Sequence, residues 1–347
     1  MSWFSKPKRY LGIDFGTGGI KAVEFGLLKG KPQLLNYAYA EQPIDVIKND
    51  SEEVKQNLAN WIKRMVLKAK LQSKKVVAGL PGYAIFSSIV TLPQLSPKEL
   101  AQAVRWEAKK IVPLPLEEVV LDWKVLPAAG AAPAASVRVL LTAAPLNLVK
   151  KYQDIIKLSG LEFSSLETDA FALVRALLGN DQTTTLLVDV GATVTHMYIA
   201  ERGIPVVSRS VDIGGLTLTK AVAQVMNIDE RRAEQFKRDI GLVGGVETTG
   251  APRAISNTFA PVIQEMKYVL EQYQQQAPGE RIDKVVLTGG SSLLTSLPEF
   301  LARELQLRVY LGDPWAHVVF PLELEPVLME LGPRFAVAVG LALRELL

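Results

Sequence analysis

The sequence has no cysteine among its 347 residues, which excludes disulfide bridges and any thiolate nucleophile. Histidine is almost as scarce. Only His196 and His317 occur, so a Ser-His-Asp triad or a histidine-built metal centre is nearly excluded. An excess of one charge is also missing. There are 39 Lys and Arg against 36 Asp and Glu, a formal net charge of +3, too small and too evenly spread to argue for a nucleic-acid surface. The one basic cluster, Lys6, Lys8 and Arg9, reads as a solvated tail. No apolar run approaches the roughly 18 to 20 residues that cross a bilayer, and "RFAVAVGLALRELL" is broken at Arg344. The first ten residues lack the apolar core and small-residue cleavage site of a signal peptide. The expectation is a cytoplasmic protein, held at a membrane only through a partner.

What the chain does contain is a glycine turn beside a carboxylate. In "YLGIDFGTGGIKAVEF" (residues 10–25) an apolar strand carries Asp14 and then pivots on Gly16, Thr17, Gly18 and Gly19. A P-loop, G-x-x-x-x-G-K-[ST], occurs nowhere. A dinucleotide fingerprint needs a third glycine where Lys21 stands. The residues after the turn alternate and turn again at Lys29-Gly30-Lys31 like a β-meander. The spacing therefore predicts a hairpin, not a loop feeding a helix. Such a turn lets backbone N–H groups approach phosphate oxygens, and a neighbouring aspartate can hold magnesium, usually through water. Alone, it is equally a plain turn.

The plan recurs. "TLLVDVGATVTHMYIAERG" (residues 185–203) has an apolar strand, Asp189, Gly191, the small residues Ala192 and Thr193, then a second strand. Two copies of one domain facing each other would clamp a phosphate chain from both sides, each with a carboxylate. A third segment, residues 283–305, reads as a short buried strand, the turn Thr288-Gly289-Gly290-Ser291 and an amphipathic helix. Leu294, Leu297, Leu301 and Leu305 repeat there at helical spacing and belong to a core. The glycine pair permits close approach of a flat ligand such as a base or ribose.

These three motifs resemble the phosphate-1, phosphate-2 and adenosine motifs of the actin-like ATPases, which include actin, sugar kinases, large heat-shock chaperones and FtsA. The segment 211–239, with Gly214-Gly215 and later Glu234 and Lys237, is similar to the FtsA stretch that lies at the adenosine. "RFAVAVGLALREL" resembles the closing helix that returns to the first domain. Residues 80–126, with "LPQLSPKEL", "IVPLP" and "LDW", resemble the inserted subdomain of the PilM family of type IV pilus machines. The resemblance runs from residue 10 to residue 347. Two departures stand out. The first loop carries Thr17-Gly18-Gly19 where the family more often has serines. The region 164–179 also lacks the glutamine that orients attacking water in active superfamily members, and offers Glu167 and Asp169 instead.

The resemblance implies an α/β, actin-like (ribonuclease H-like) fold with two duplicated lobes and an FtsA/PilM-type insert. The first lobe takes residues 1–79, 152–184 and 333–347, and the insert 80–151, whose "PAAGAAPAAS" is a flexible hairpin tip or connector. The second lobe takes 185–213 and 281–332. A helical subdomain takes 214–280, with Phe259, Val262, Ile263, Met266, Val269 and Leu270 on one core-facing stripe ended by Pro278-Gly279. It further implies ATP and Mg²⁺ as ligands. The nucleotide would meet Gly16, Thr17, Gly18, Gly19, Lys21, Gly191, Ala192, Thr193, Gly214, Gly215, Glu234, Lys237, Gly289, Gly290 and Ser291, and the metal would sit at Asp14 and Asp189, through water. Catalytic candidates are Glu167 and Asp169. The implied partner is the cytoplasmic N-terminal peptide of the inner-membrane protein PilN, docked between first lobe and insert near Pro81 and Gly82. The expected role is an ATP-binding pilus-assembly adaptor with at most slow turnover. The alternatives are an active ATPase or a filament-forming FtsA-like protein.

Overall fold

The computed structural model describes residues 8–41, 51–126, 136–243, 250–277 and 279–346. Lys6, residues 127–135 of the expected flexible tip, and Pro278 lie outside the described residues.

Strands β1 (Tyr10–Gly16), β2 (Gly19–Leu28) and β3 (Lys31–Ala40) form the antiparallel meander that the alternation predicts. Helix α1 (Glu52–Lys68), capped by the Ser51 side chain accepting from the Val54 N–H, returns the chain so that β4 (Lys75–Leu80) lies parallel to β1. The insert follows: β5 (Phe86–Pro93), α2 (Pro97–Ile111), β6 (Val119–Val125) and β7 (Ser136–Pro145), an antiparallel sheet in the order β5-β7-β6. Helix α2 opens on a capping box, Ser96 with Glu99, and packs Leu100, Val104 and Ala108 against that sheet. Helix α3 (Leu146–Leu158) leads to β8 (Glu162–Thr168), which completes a five-stranded sheet, β3-β2-β1-β4-β8.

Helix α4 (Asp169–Leu177) carries the chain to a second sheet with the same plan: β9 (Thr185–Val190), β10 (Thr195–Glu201) and β11 (Ile204–Val211) as a meander, then α5 (Gly215–Met226), α6 (Glu230–Ile240) and α7 (Ala251–Gln276) before β12 (Lys284–Thr288) pairs parallel with β9. Helix α8 (Leu297–Leu305) and β13 (Arg308–Leu311) finish the order β11-β10-β9-β12-β13. The repeat seen in two short motifs is thus a repeat of whole sheets. The six stripe residues of α7 are all buried, each contributing roughly 1.5 to 3 kcal/mol of apolar burial.

The last helix differs from expectation. It is α9 (Glu325–Leu343), with Pro333 inside it and not at its start. The Pro333 carbonyl accepts from the Gly289 N–H at 2.9 Å and the Thr288 hydroxyl at 3.0 Å, so the early turns belong to the second sheet. The later turns lie on the first: a Cβ at Gly12 would run into Ala338 and Ala342, and one at Gly340 into the Ala172 carbonyl of α4. One helix bridges both lobes. With the turn before it, the segment Leu322–Leu343 is 22 residues long and apolar enough to cross a membrane by length and composition, contrary to the reading of the sequence. However, 67% of its apolar window is buried inside the protein, and Val337, Ala338, Val339 and Leu341 are core residues.

Candidate functional site

A cleft of about 810 Å³ opens between the two sheets. Its floor is made where the β1–β2 and β9–β10 hairpins meet. Register places Asp14 opposite Lys21 in the first hairpin and Asp189 opposite His196 in the second. The turns approach so closely that a Cβ on Gly18 would lie 3.0 Å from the Ala192 methyl. Gly19, at φ 141°, closes the first turn in a conformation that side chains rarely adopt, and the Tyr39 hydroxyl donates to the Gly18 carbonyl at 3.0 Å. The second turn is tied from behind. Gly191 accepts from the Gly215 N–H at 3.0 Å and the Ser291 hydroxyl at 3.2 Å, and Ala192 accepts from the Leu216 N–H at 2.8 Å. Gly289, at φ 85°, lies against Asp189, where a Cβ would strike the carboxylate.

Of the residues singled out in the sequence, the cleft collects Asp14, Gly16, Thr17, Gly18, Lys21, Asp169, Asp189, Gly191 and Ala192. Gly215, Glu234, Lys237, Gly289, Gly290 and Ser291 also line it. Gly19, Thr193 and Gly214 do not line it, and Gly214 instead packs beneath Ala192. Lys237 is buried and donates to Glu234 at 2.6 Å, to Thr219 at 2.9 Å and to the Gly215 carbonyl at 3.0 Å. It therefore braces α5 to α6. The two acid candidates separate. Glu167 is outside the cleft lining, clasped by Arg175 at 2.6 and 2.7 Å. Asp169, the first residue of α4, faces the cleft. Pro81 lines the cleft, while Gly82 packs on Tyr198 and Ser208 of the second sheet.

Three carboxylates therefore share the floor with one cation. Lys21 pairs with Asp14 at 3.0 Å. Burial alone would lower the Lys21 pKa, but the charges of Asp14 and Asp189 outweigh it and hold the ammonium protonated above its usual range. Burial, then repulsion from Asp14, pushes Asp189 up to about 6, against the pull of Lys21. Asp169 is raised well above the carboxylate range by burial and by the same two neighbours. A floor so short of positive charge suits a cation. Among the described residues no three acidic or histidine groups converge closely enough to ligate a metal directly. Glycine turns without side chains beside these acids leave room for the phosphates such an ion would accompany. The residues present fit a magnesium nucleotide.

Several cleft residues escaped the sequence reading. His196 stands where the repeat puts Lys21 in the first copy, so extending the repeat by one strand would have found it. Its ring stacks on Tyr83, centroids 5.4 Å apart and 6° from parallel, and on Tyr198 at 6.1 Å. Burial lowers its pKa to about 4, with Asp212 opposing. Tyr39 and Arg334 have no local motif. Arg334 sits over the Tyr39 ring at 6.0 Å and reaches Gly290, a meeting that only the path of α9 creates.

The family described as type IV pilus assembly protein PilM matches residues 12–346. The chain belongs to that family. A solved PilM-PilN type IV pilus biogenesis complex superposes with TM-score 0.84 at 28% identity, covering 99% of this chain and 100% of that one. The cell shape-determining protein Mbl of Bacillus cereus is 27% identical over 164 residues, 39% of this chain and 49% of Mbl. FtsA of Rhizobium meliloti is 27% identical over 176 residues, 44% of this chain and 38% of FtsA. The chain thus spans about half, or less, of the curated relatives it matches. MreB5 of Spiroplasma citri bound to ADP, at TM-score 0.55 and 14% identity over 96% of this chain and 94% of that one, shares the fold alone. The architecture is the actin-like ATPase fold.

Proposed function

We propose that this chain is a nucleotide-binding adaptor of type IV pilus assembly, which takes Mg-ATP between its lobes and a PilN-type peptide on its surface. The observation that carries the reading is the convergence of both acidic hairpins and the Gly289-Gly290 turn on one cleft, in a chain that the family matches almost throughout. Asp14 and Asp189 would hold the ion through water, and Gly16 to Gly18, Lys21, Gly191 and Ala192 would receive the phosphates. The ion supplies charge neutralisation between the phosphates and the acidic floor. Gly215, Gly289, Gly290 and Ser291 would border the adenosine. Gly19 and Gly214 shape these walls from behind, and Lys237 braces α5 to α6 at the cleft wall.

Turnover is slow on this reading. Glu167 is engaged by Arg175, and burial with the charges of Asp14 and Asp189 raises the Asp169 pKa well above the carboxylate range, which favours its protonated form. The peptide groove would lie between the first lobe and the insert, and the protein would stay in the cytoplasm beside the inner membrane through that partner. Calorimetry with Mg-ATP tests the reading when phosphate release is followed in the same sample, with and without a peptide of the PilN cytoplasmic segment. Tight nucleotide and peptide binding with negligible release is expected. Sustained turnover would make the chain an enzyme, with Asp169 the first residue to replace. No nucleotide binding would leave the hairpins as inherited architecture.

A further inference from the structure

The end of the first sheet away from the cleft gathers lysines and leucines that nucleotide binding does not use. Strands β1 and β4 run parallel with Leu11 beside Val76, and β4 meets β8 at Lys75 and Glu162. Strand β2 runs back along β1 with Phe25 opposite Tyr10, so the tip after Leu28 projects past that same edge. Register therefore brings together the β2–β3 tip, the α1–β4 connection and the α3–β8 connection. The last two touch, the Glu162 N–H donating to the Lys74 carbonyl at 2.7 Å.

Each connection pairs exposed apolar side chains with exposed cations. At the tip, Leu27 and Leu28 are 49% and 42% exposed, followed by Lys29 and Lys31. At the end of α1 stand Leu67, 77% exposed, and Lys68, followed by Lys70, Lys74 and Lys75 with no acid between them. These four charges alone exceed the formal +3 of the whole chain. At the end of α3 stand Lys157 and Leu158. Acids at this edge include Glu162, Glu345, which accepts from Ser164 at 2.7 Å, and the buried Glu24, satisfied by Arg9 and by the Gln72 and Ser73 N–H groups. A favourable interaction with the helix dipole explains a lysine in the last turn of α1 and of α3. It does not explain Lys29, Lys31, Lys70 and Lys74, nor leucines left wet among them.

We propose that this edge docks directly on an anionic lipid bilayer. Lysines near an anionic leaflet attract it electrostatically, each raising partition by about fivefold, and leucines between them enter the headgroup–acyl boundary. Nucleic-acid phosphates would engage the lysines but give the leucines nothing to bury against, which is why the bilayer is the better match. The inference stands apart from the nucleotide reading.

Full-length protein is sedimented with phosphatidylcholine vesicles and with vesicles enriched in phosphatidylglycerol. Binding is expected only to the latter, and should weaken as salt is raised. Lys70→Gln with Lys74→Gln should lower partition by on the order of 25-fold. Leu27→Ser with Leu67→Ser should weaken binding at unchanged charge. Circular dichroism and unaltered nucleotide affinity report that both variants fold. Four outcomes overturn the proposal. They are no binding to phosphatidylglycerol vesicles, equal binding by parent and variants, a leucine variant that binds as the parent does while duplex DNA competes, and loss of binding on deleting residues 2–7 while the edge variants still bind.

Discussion

Replacing Asp189 with asparagine should make the ligand-free protein more stable and its nucleotide site worse. The Asp189 carboxyl sits at about 6 in the folded protein against an ordinary 3.8, so its ionised form is disfavoured by folding. The stability it contributes is fully present below about pH 3.8 and is lost as pH rises through about 6. Fully expressed, that gap corresponds to roughly 3 kcal/mol. Because Asp189 is only partly buried beside the open cleft, solvent screening reduces it to about 1 to 2 kcal/mol. Asparagine keeps the shape and removes the charge. Thermal unfolding at pH 8 without ligand should therefore give a melting temperature higher by roughly 1 to 3 °C for the variant, with the difference vanishing below about pH 3.8. Calorimetry should show Mg-ATP binding weakened by about 10- to 100-fold, the range for groups that position a metal through another ligand. A variant less stable than the parent at pH 8, with unchanged Mg-ATP affinity, would refute the reasoning: Asp189 would then be a structural acid satisfied within the protein.

Three further outcomes follow from the same geometry. Asp14→Asn should weaken Mg-ATP binding while circular dichroism reports an intact fold, and unchanged affinity would remove this carboxylate from the site. Glu167→Gln should leave nucleotide affinity alone but lower stability by about 1 to 3 kcal/mol, since the Arg175 guanidinium loses its charged partner; denaturant unfolding measures it. Gly340→Ala should lower stability by about 3 kcal/mol or more, because the new methyl has only the Ala172 carbonyl to displace. A well-folded, equally stable Gly340→Ala protein would show that α4 and α9 can part without cost.

The site was legible where its chemistry is local. Each acidic hairpin announces itself through an apolar strand, an aspartate and glycines within a few residues, and the repeat supplied the second lobe. What escaped depends on pairings far apart in the chain. Glu167 and Asp169 are two residues apart, yet β8 ends between them at Thr168. One therefore remains on the strand, clasped by Arg175, and the other opens α4 toward the cleft. Arg334 and Tyr39 meet only because α9 straddles both sheets. The helix start was misjudged because Pro333 lies inside α9 and not in its first turn, where its carbonyl receives the Gly289 N–H and the Thr288 hydroxyl of the second sheet. The lysine edge was invisible because its charges come from three separate connections, each unremarkable alone.

The stack of Tyr83 on His196 constrains how the insert and the second lobe can move against each other. Above about pH 4 the imidazole is neutral, and the rings lie 6° from parallel. Flat faces glide past one another with little loss of contact, whereas tilting peels them apart. The stack therefore favours a shear over a hinge at this point. Tyr83 lies just ahead of β5, so such a glide carries the edge of the insert sideways along β10. Any peptide lying across that edge would feel a change of register instead of the opening of a gap.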